Sequence, residues 1–152
     1  MDGATTLVHG TCIALESGAA ILQGPSGAGK SDLALRCIMQ PAHINGRPLA
    51  ARLVADDQVM LERRAASLWA RPPATIAGKL EVRGLGIVDV PHAPEAQVRL
   101  VVQLVGPGDR IERLPQLAEV GMLGVMLPVV QVAPFEASAP LKVLLALLQA
   151  SR

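Results

Sequence analysis

The glycine-rich segment GPSGAGKS at residues 24–31 constrains this sequence more than any other feature, because it fits the pattern G-x-x-x-x-G-K-[ST]. An apolar run at 19–23 precedes it, and apolar residues at helical spacing follow it until a proline at position 41. Glycines let the backbone fold tightly enough for consecutive N–H groups to point at phosphate oxygens. The motif and its flanks therefore predict a strand, a phosphate-binding loop and a helix over 30–39.

The chemistry of phosphate binding gives the residues of this loop their predicted roles. The first turn of the following helix adds unpaired N–H groups and the positive end of the helix dipole. Lys30 would place its charge on the β- and γ-phosphates, and Ser31 would offer its hydroxyl to Mg²⁺. We therefore predict ATP and Mg²⁺ as cofactors, held by the residues Gly24, Pro25, Ser26, Gly27, Ala28, Gly29, Lys30 and Ser31.

Two adjacent carboxylates, Asp56 and Asp57, follow a short apolar strand predicted at 53–55. Neighbouring residues of a strand point to opposite sides, so one carboxylate could reach a metal ion while the other faces a substrate hydroxyl. The carboxylate that faces the substrate hydroxyl can take its proton as a general base, or return it as a general acid in the reverse reaction. The alternative is a solvated turn, in which aspartate is common.

Scattered glycines and prolines divide the rest of the chain into short elements. The nearly continuous apolar run at 98–105 is typical of a central strand, and Asn45-Gly46 indicates a turn. We predict an α/β fold with a mixed sheet, a helix after the phosphate loop and a C-terminal helix that Ser138 caps and that extends to 149. Further strands are predicted at 6–9, 12–15, 19–23, 59–62, 67–70 and 125–132, with a strand-and-loop region at 80–90.

Composition restricts the classes of partner. Hydrophobic residues make up 51% of the chain, but Trp69 and Phe135 are its only aromatic residues, so single-stranded nucleic acid has no stacking surface. A net charge of +1 also argues against nucleic acid as a partner, and no apolar run is long enough to span a bilayer. The N-terminal residues lack a signal-peptide pattern, and Cys12 and Cys37 are expected to be buried, reduced thiols. We predict a cytoplasmic protein of one domain at 1–152.

Three segments in order resemble the catalytic domain of the HPr kinase/phosphorylase family. They are Val8-His9-Gly10, the pair formed by the loop at 24–31 and LVADD at 53–57, and LEVRGLGIVDV at 80–90, which resembles the signature sequence of the family. The resemblance implies a fold related to the nucleotide domain of phosphoenolpyruvate carboxykinase. It also implies a hexameric enzyme that phosphorylates a seryl residue of the phosphocarrier protein HPr with ATP or pyrophosphate. The reverse reaction would use inorganic phosphate to remove the phosphoryl group and form pyrophosphate.

The same resemblance implies roles for individual residues. Asp56 is similar to the general base and acid of the family, and Asp57 to its metal-linked neighbour. Glu81 resembles an acidic residue near Mg²⁺, His9 a histidine near the phosphate, and Arg113 an arginine that contacts the transferred phosphate. The predicted catalytic set is therefore Asp56, His9, Lys30 and Arg113, and the predicted metal ligands are Ser31, Asp57 and Glu81.

Local sequence alone leaves other interpretations open. A surface ion pair would explain Glu81 with Arg83, a structural role would explain His9, and a solvated turn would explain Arg113. The sequence also differs from the longer members of the family, because an N-terminal domain is not expected and the region at 133–138 reads APFEAS where those members have a basic loop. Two alternative functions follow: a kinase of another protein or of a small hydroxylated metabolite, and a nucleotide-sensing module with little turnover.

Overall fold

The computed structural model describes residues 3–16, 18–74 and 76–151. Within them are two helices, α1 at Lys30–Met39 and α2 at Ala139–Ala150. The strands are β1 Thr5–His9, β2 Thr11–Leu15, β3 Gly18–Gln23, β4 Ala42–Ile44, β5 Arg47–Leu49, β6 Arg52–Ala55, β7 Gln58–Arg64, β8 Ser67–Arg71, β9 Lys79–Val82, β10 Gly86–Asp89, β11 Ala96–Leu104, β12 Ala118–Met122 and β13 Val125–Val132.

The main sheet is mixed, and β11 lies at its centre. Strands β3 and β13 pair with β11 in parallel, whereas β8 pairs antiparallel with the first two residues of β11. The remaining order runs from β3 to β2 and β6 on one side and from β8 to β7 and β1 on the other, while β12 extends the sheet beyond β13. The central strand predicted at 98–105 and the mixed α/β fold are both confirmed.

Apolar residues on both faces of the central strands explain why these strands are buried. In β3, Ala20 and Leu22 pack with the two helices on one face, and Ala19 and Ile21 pack with residues of β7 and β8 on the other. The sheet therefore curls, so that its β7–β8 part covers the second face of β2 and β3. Both cores consist mainly of Ala, Val, Leu and Ile, as the composition predicts.

The parallel strands end at one level of the sheet. Gln103 of β11 pairs with Gln23 of β3 and with Gln131 of β13. The phosphate loop follows β3, and the segment at 133–138 follows β13 and leads into α2. Loops at the carboxyl ends of parallel strands form the ligand-binding edge of α/β sheets.

The two cysteines are free and buried, as predicted. Burial raises the pKa of the Cys12 thiol far above its ordinary value and that of Cys37 to about 12. A buried thiol with a raised pKa stays protonated and reacts poorly with oxidants.

The sequence did not predict three details. The turn at Asn45-Gly46 does form, with positive φ at both residues, and it joins the unpredicted strands β4 and β5. Edge strand β12 was also missed. Ser138 occupies the N-cap position of α2, but its side chain makes no capping hydrogen bond. A capping residue normally has an extended backbone, whereas Ser138 has helical φ and ψ of −82° and −2°, and Pro140 in second position has no N–H to donate.

Candidate functional site

The phosphate loop adopts a conformation that requires glycine. Gly27 and Gly29 have φ angles of 82° and 100°, in the left-handed region. The N–H of Ala28 donates a 3.0 Å hydrogen bond to the carbonyl of Pro25, which closes the turn. Gly29 precedes α1 and provides no side-chain cap, so the N–H groups of the first turn of this helix remain available to an anion. The loop thus has the backbone geometry that phosphate binding requires.

Lys30 is folded back over this loop. Its Nζ donates hydrogen bonds of 2.7 Å and 3.0 Å to the carbonyls of Gly24 and Pro25. The side chain is largely buried, but it also lines the cleft described below. The ammonium group is therefore positioned beside the phosphate loop.

Asp56 connects four segments of the chain. Its Oδ1 accepts hydrogen bonds from the hydroxyls of Ser31 at 2.8 Å and Thr11 at 3.0 Å. Its Oδ2 accepts a 3.1 Å hydrogen bond from the backbone N–H of Glu81. Only 8% of Asp56 is exposed, so its carboxylate is held in one orientation beside the loop hydroxyl.

Asp57, unlike the buried Asp56, is exposed to solvent. Its φ of 67° lies in the left-handed region, where aspartate is tolerated better than most residues. The N–H of Gly10 donates to its carbonyl at 3.0 Å, and Oδ1 lies 3.0 Å from Nε2 of His9. The Asp57 side chain is 71% exposed. The structure therefore brings His9 and Asp57 together on the solvent side of the acidic pair.

A cleft of about 650 Å³ runs between the phosphate loop and the β9–β10 hairpin. His9, Asp57, Glu81 and Arg83 line it together with Lys30 and Ser31 of the loop. The hairpin turns at Gly84, whose φ of 90° favours glycine. Three separate segments that the sequence singled out thus meet around one cleft.

Arg113 lies elsewhere. It is exposed in the loop between β11 and β12 and does not line this cleft. Leu114 and Leu117 of the same loop are 81% and 99% exposed. The contact of Arg113 with transferred phosphate stays a prediction.

Sequence reasoning missed Thr11, Arg36 and Phe135. Thr11 anchors Asp56, Arg36 binds the segment after β13, and Phe135 lines the cleft. Thr11 could have been noticed as a hydroxyl residue next to the His9 segment, and Phe135 as one of two aromatic residues. Nothing in the sequence paired Arg36 with a segment about a hundred residues away.

Residues 3–146 match the family described as the HPr Serine kinase C-terminal domain. The chain belongs to this family. Its match covers the phosphate loop, the acidic pair and the β9–β10 hairpin, so the resemblance seen in three segments extends over nearly the whole chain.

Individual relatives agree with this family. The HPr kinase/phosphorylase of Clostridium tetani is 32% identical over 120 residues, which are 79% of this chain and 36% of that protein. The HPr kinase/phosphorylase of Clostridium acetobutylicum is 37% identical over 86 residues, 57% of this chain and 25% of that protein. The chain therefore spans about a third or less of these two curated relatives.

A solved structure shows the same fold. The HPr(Ser) kinase/phosphatase from Coxiella burnetii superposes with a TM-score of 0.77 at 22% identity, covering 97% of this chain and 96% of that chain. In the ranges that the structure describes, neither helix has the length and apolar character needed to cross a membrane.

Proposed function

We propose that this chain transfers the γ-phosphoryl group of ATP to a seryl hydroxyl of an HPr-like phosphocarrier protein. We also propose the reverse reaction, in which inorganic phosphate removes that group and pyrophosphate forms. Membership of the HPr kinase family supports the substrate class, and one observation supports the chemistry. The phosphate loop, a buried carboxylate and an exposed carboxylate line or border a single cleft.

The residues of the cleft fit a magnesium–nucleotide complex. Ser31, Asp56 and Glu81 supply the oxygen ligands that Mg²⁺ prefers, and this ion commonly combines one or two carboxylates with phosphate oxygens and water. Over 3–16, 18–74 and 76–151, no three His, Cys, Asp or Glu side chains form a metal site of their own. When bound, Mg²⁺ would neutralise charge that develops on the phosphate oxygens.

The contacts favour exchanging the roles that resemblance implied for the two aspartates. Both oxygens of the buried Asp56 carboxylate already accept hydrogen bonds, and one of the donors is the predicted magnesium ligand Ser31. We therefore assign Asp56 to the metal side of the site. Asp57 is exposed in the cleft and we assign it the general base, with His9 as the positioning residue that holds its carboxylate.

Transfer would proceed by in-line displacement. The seryl oxygen forms a bond to the γ-phosphorus while its proton passes to the Asp57 carboxylate. The bond between the γ-phosphorus and the bridging oxygen breaks, and the electron pair leaves with ADP. Lys30 holds the phosphate oxygens throughout, because its ammonium already lies at the loop. In reverse, phosphate attacks the phosphoserine and protonated Asp57 returns the proton to the departing seryl oxygen.

Glu81 and Arg83 complete the opposite wall. Both residues line the cleft, and we assign the Glu81 carboxylate to the metal and the Arg83 guanidinium to phosphate oxygens or to acidic groups of the partner protein. We retain Arg113 as a phosphate contact. The loop that carries it would have to move, or act on the cleft of a neighbouring subunit.

We also propose a cytoplasmic homo-oligomer, with the hexamer implied by resemblance as its first candidate. The exposed Leu114 and Leu117 support an interface at the Arg113 loop, since neighbouring exposed leucines often mark contact surfaces. Light scattering of the purified chain measures the number of subunits directly. A monomer at all concentrations would overturn this part of the proposal.

The test of function is a phosphotransfer assay run in both directions. We expect HPr incubated with the protein, ATP and Mg²⁺ to gain one phosphoryl group on serine, as measured by mass spectrometry. Phosphoseryl-HPr with inorganic phosphate should release pyrophosphate. Lys30→Ala is the control, because it removes the ammonium charge that would hold the phosphate oxygens. Intact HPr in the presence of bound nucleotide would refute the proposed substrate, and a screen of hydroxylated metabolites for ADP release would then identify another kinase.

A further inference from the structure

The segment that follows β13 lies beside the phosphate loop for a topological reason. Strands β3 and β13 flank β11 in parallel, and Gln23 and Gln131 pair with the same residue of that strand. The loops that follow these two strands therefore start at the same edge of the sheet. This is the edge at which α/β folds bind their ligands.

Arg36 of α1 fixes this segment in place. Its Nη1 donates a 3.4 Å hydrogen bond to the carbonyl of Glu136, and its Nη2 donates to the carbonyl of Pro134. Its Nε donates to Asp32 Oδ2 at 3.1 Å. One guanidinium thus joins the helix after the phosphate loop to the residues on both sides of Phe135.

Phe135 is held at the cleft with its ring open to solvent. The residue lines the cleft and is 66% exposed, although it is one of only two aromatic residues in the chain. A β-carbon at position 29 would lie 2.9 Å from its Cζ, so the ring packs directly against the last glycine of the phosphate loop. The other aromatic residue, Trp69, has the guanidinium of Arg64 at 4.7 Å from its ring centre.

The acidic neighbour of this ring does not oppose an anionic ligand at the cleft. Glu136 does not line the cleft, and its carboxylate lies 3.6 Å from Nζ of Lys142 in α2. Leu35 of α1 adds a second apolar side chain to the same cleft. The cleft therefore presents the aromatic ring of Phe135 and the aliphatic side chain of Leu35 together with the phosphate loop.

We propose that Phe135 is the platform on which the base of the bound nucleotide stacks. This inference rests on the proposed function, because it assigns the base end of the same nucleotide site. A ring beside a phosphate-binding loop matches a ligand that joins phosphates to a flat aromatic group. Stacking accepts any base, so GTP and ATP should both gain from the ring. Pyrophosphate and inorganic triphosphate have no base and should gain nothing.

The ring would therefore set the preference for a nucleotide over pyrophosphate as phosphoryl donor. The experiment measures dissociation constants for ATP and for inorganic triphosphate, both with Mg²⁺, by calorimetry on the full chain. Phe135→Ala should weaken ATP binding about ten-fold, since the base loses the aromatic ring on which it stacks. The binding of triphosphate to Phe135→Ala should stay unchanged. Phe135→Trp keeps an aromatic ring and should bind ATP with the affinity of the wild type.

Met126→Ala is the matched control, because Met126 is 59% exposed and does not line the cleft. It should bind both ligands as the wild type does. Equal weakening of ATP and triphosphate binding by Phe135→Ala would assign Phe135 to the phosphate loop and overturn the platform. Unchanged ATP binding in this variant would also overturn the platform. Wild-type protein that binds neither ligand would overturn the proposed function, and the platform with it.

Discussion

The hydroxyl of Ser31 donates a 2.8 Å hydrogen bond to Oδ1 of Asp56. This bond joins the end of the phosphate loop to the end of β6, and our assignment of Asp56 to the metal side of the site rests on it. The adjacent carboxylate of Asp57 contacts His9 instead. The two neighbouring aspartates thus have different contacts, and their proposed roles can be tested separately.

Asp57→Asn should abolish phosphotransfer and leave nucleotide binding nearly intact. The amide cannot accept the seryl proton, and loss of a general base typically lowers the rate about 10²–10⁴-fold. Steady-state transfer to HPr and ATP binding by calorimetry measure the two effects. If the variant keeps most of its transfer activity, Asp57 is not the base.

Asp56→Asn should weaken magnesium-dependent nucleotide binding and also destabilise the fold. Its carboxylate accepts three hydrogen bonds in a buried position, and the amide turns one acceptor into a donor that faces other donors. The expected loss in the free energy of unfolding is about 1–3 kcal/mol. Urea unfolding of the two Asn variants compares them directly. Equal stability, together with normal nucleotide affinity and lost transfer, would restore the roles that resemblance implied.

Gly29→Ala should destabilise the protein more than Gly27→Ala. Both glycines have positive φ, which costs a residue with a side chain about 1–2 kcal/mol. A β-carbon at position 29 would also meet the Phe135 ring at 2.9 Å, whereas one at position 27 would have nothing within 4 Å. Thermal unfolding without nucleotide isolates this difference. Adding Phe135→Ala to Gly29→Ala should recover part of the loss, and no recovery would mean that the ring does not crowd this position.

Glu95→Gln should lower stability at neutral pH by a few tenths of a kcal/mol, as is typical of exposed ion pairs. Hydrogen bonds from Arg64 hold the pKa of the Glu95 carboxyl below its ordinary value. A lowered pKa in the folded state stabilises the protein above the unfolded pKa of about 4.3, and the contribution disappears as the pH falls through the folded pKa. The difference in unfolding free energy between variant and wild type should therefore vanish in acid. A constant difference from neutral to acid pH would assign the loss to packing.

Local signals predicted most of the fold because they are strong in this chain. Helix α1 occupies the predicted residues 30–39, and the predicted strands at 12–15, 19–23 and 125–132 match β2, β3 and β13 to within a residue. Edge strand β12 escaped prediction because Gly121 and its exposed neighbours lack a clear alternation of apolar and polar residues. Local sequence signals do not specify which strands pair. The position of Phe135 beside the phosphate loop depends on the pairing of β3 and β13 with β11.

The sequence singled out most of the residues that the structure brings to the cleft, but not the contacts between them. Lys30, Ser31, Glu81 and the loop glycines line or border the cleft as expected. Which aspartate meets Ser31 depends on the backbone conformation after β6, where Asp57 takes a positive φ that an extended strand would not have. Arg113 is a different case. The resemblance implied a phosphate contact, but the structure places this residue in an exposed loop outside the cleft.

The hydrogen bonds of Asp56 have a further consequence for how the protein unfolds. They join Thr11, Ser31 and Glu81 to Asp56, and these residues are separated by twenty or more positions along the chain. No local fragment contains all four, so the complete set of hydrogen bonds forms only when segments from Thr11 to Glu81 are assembled. Binding of a ligand beside Asp56 should therefore be coupled to the unfolding of these segments, and a ligand at a hundred times its dissociation constant adds about 2.7 kcal/mol to that transition.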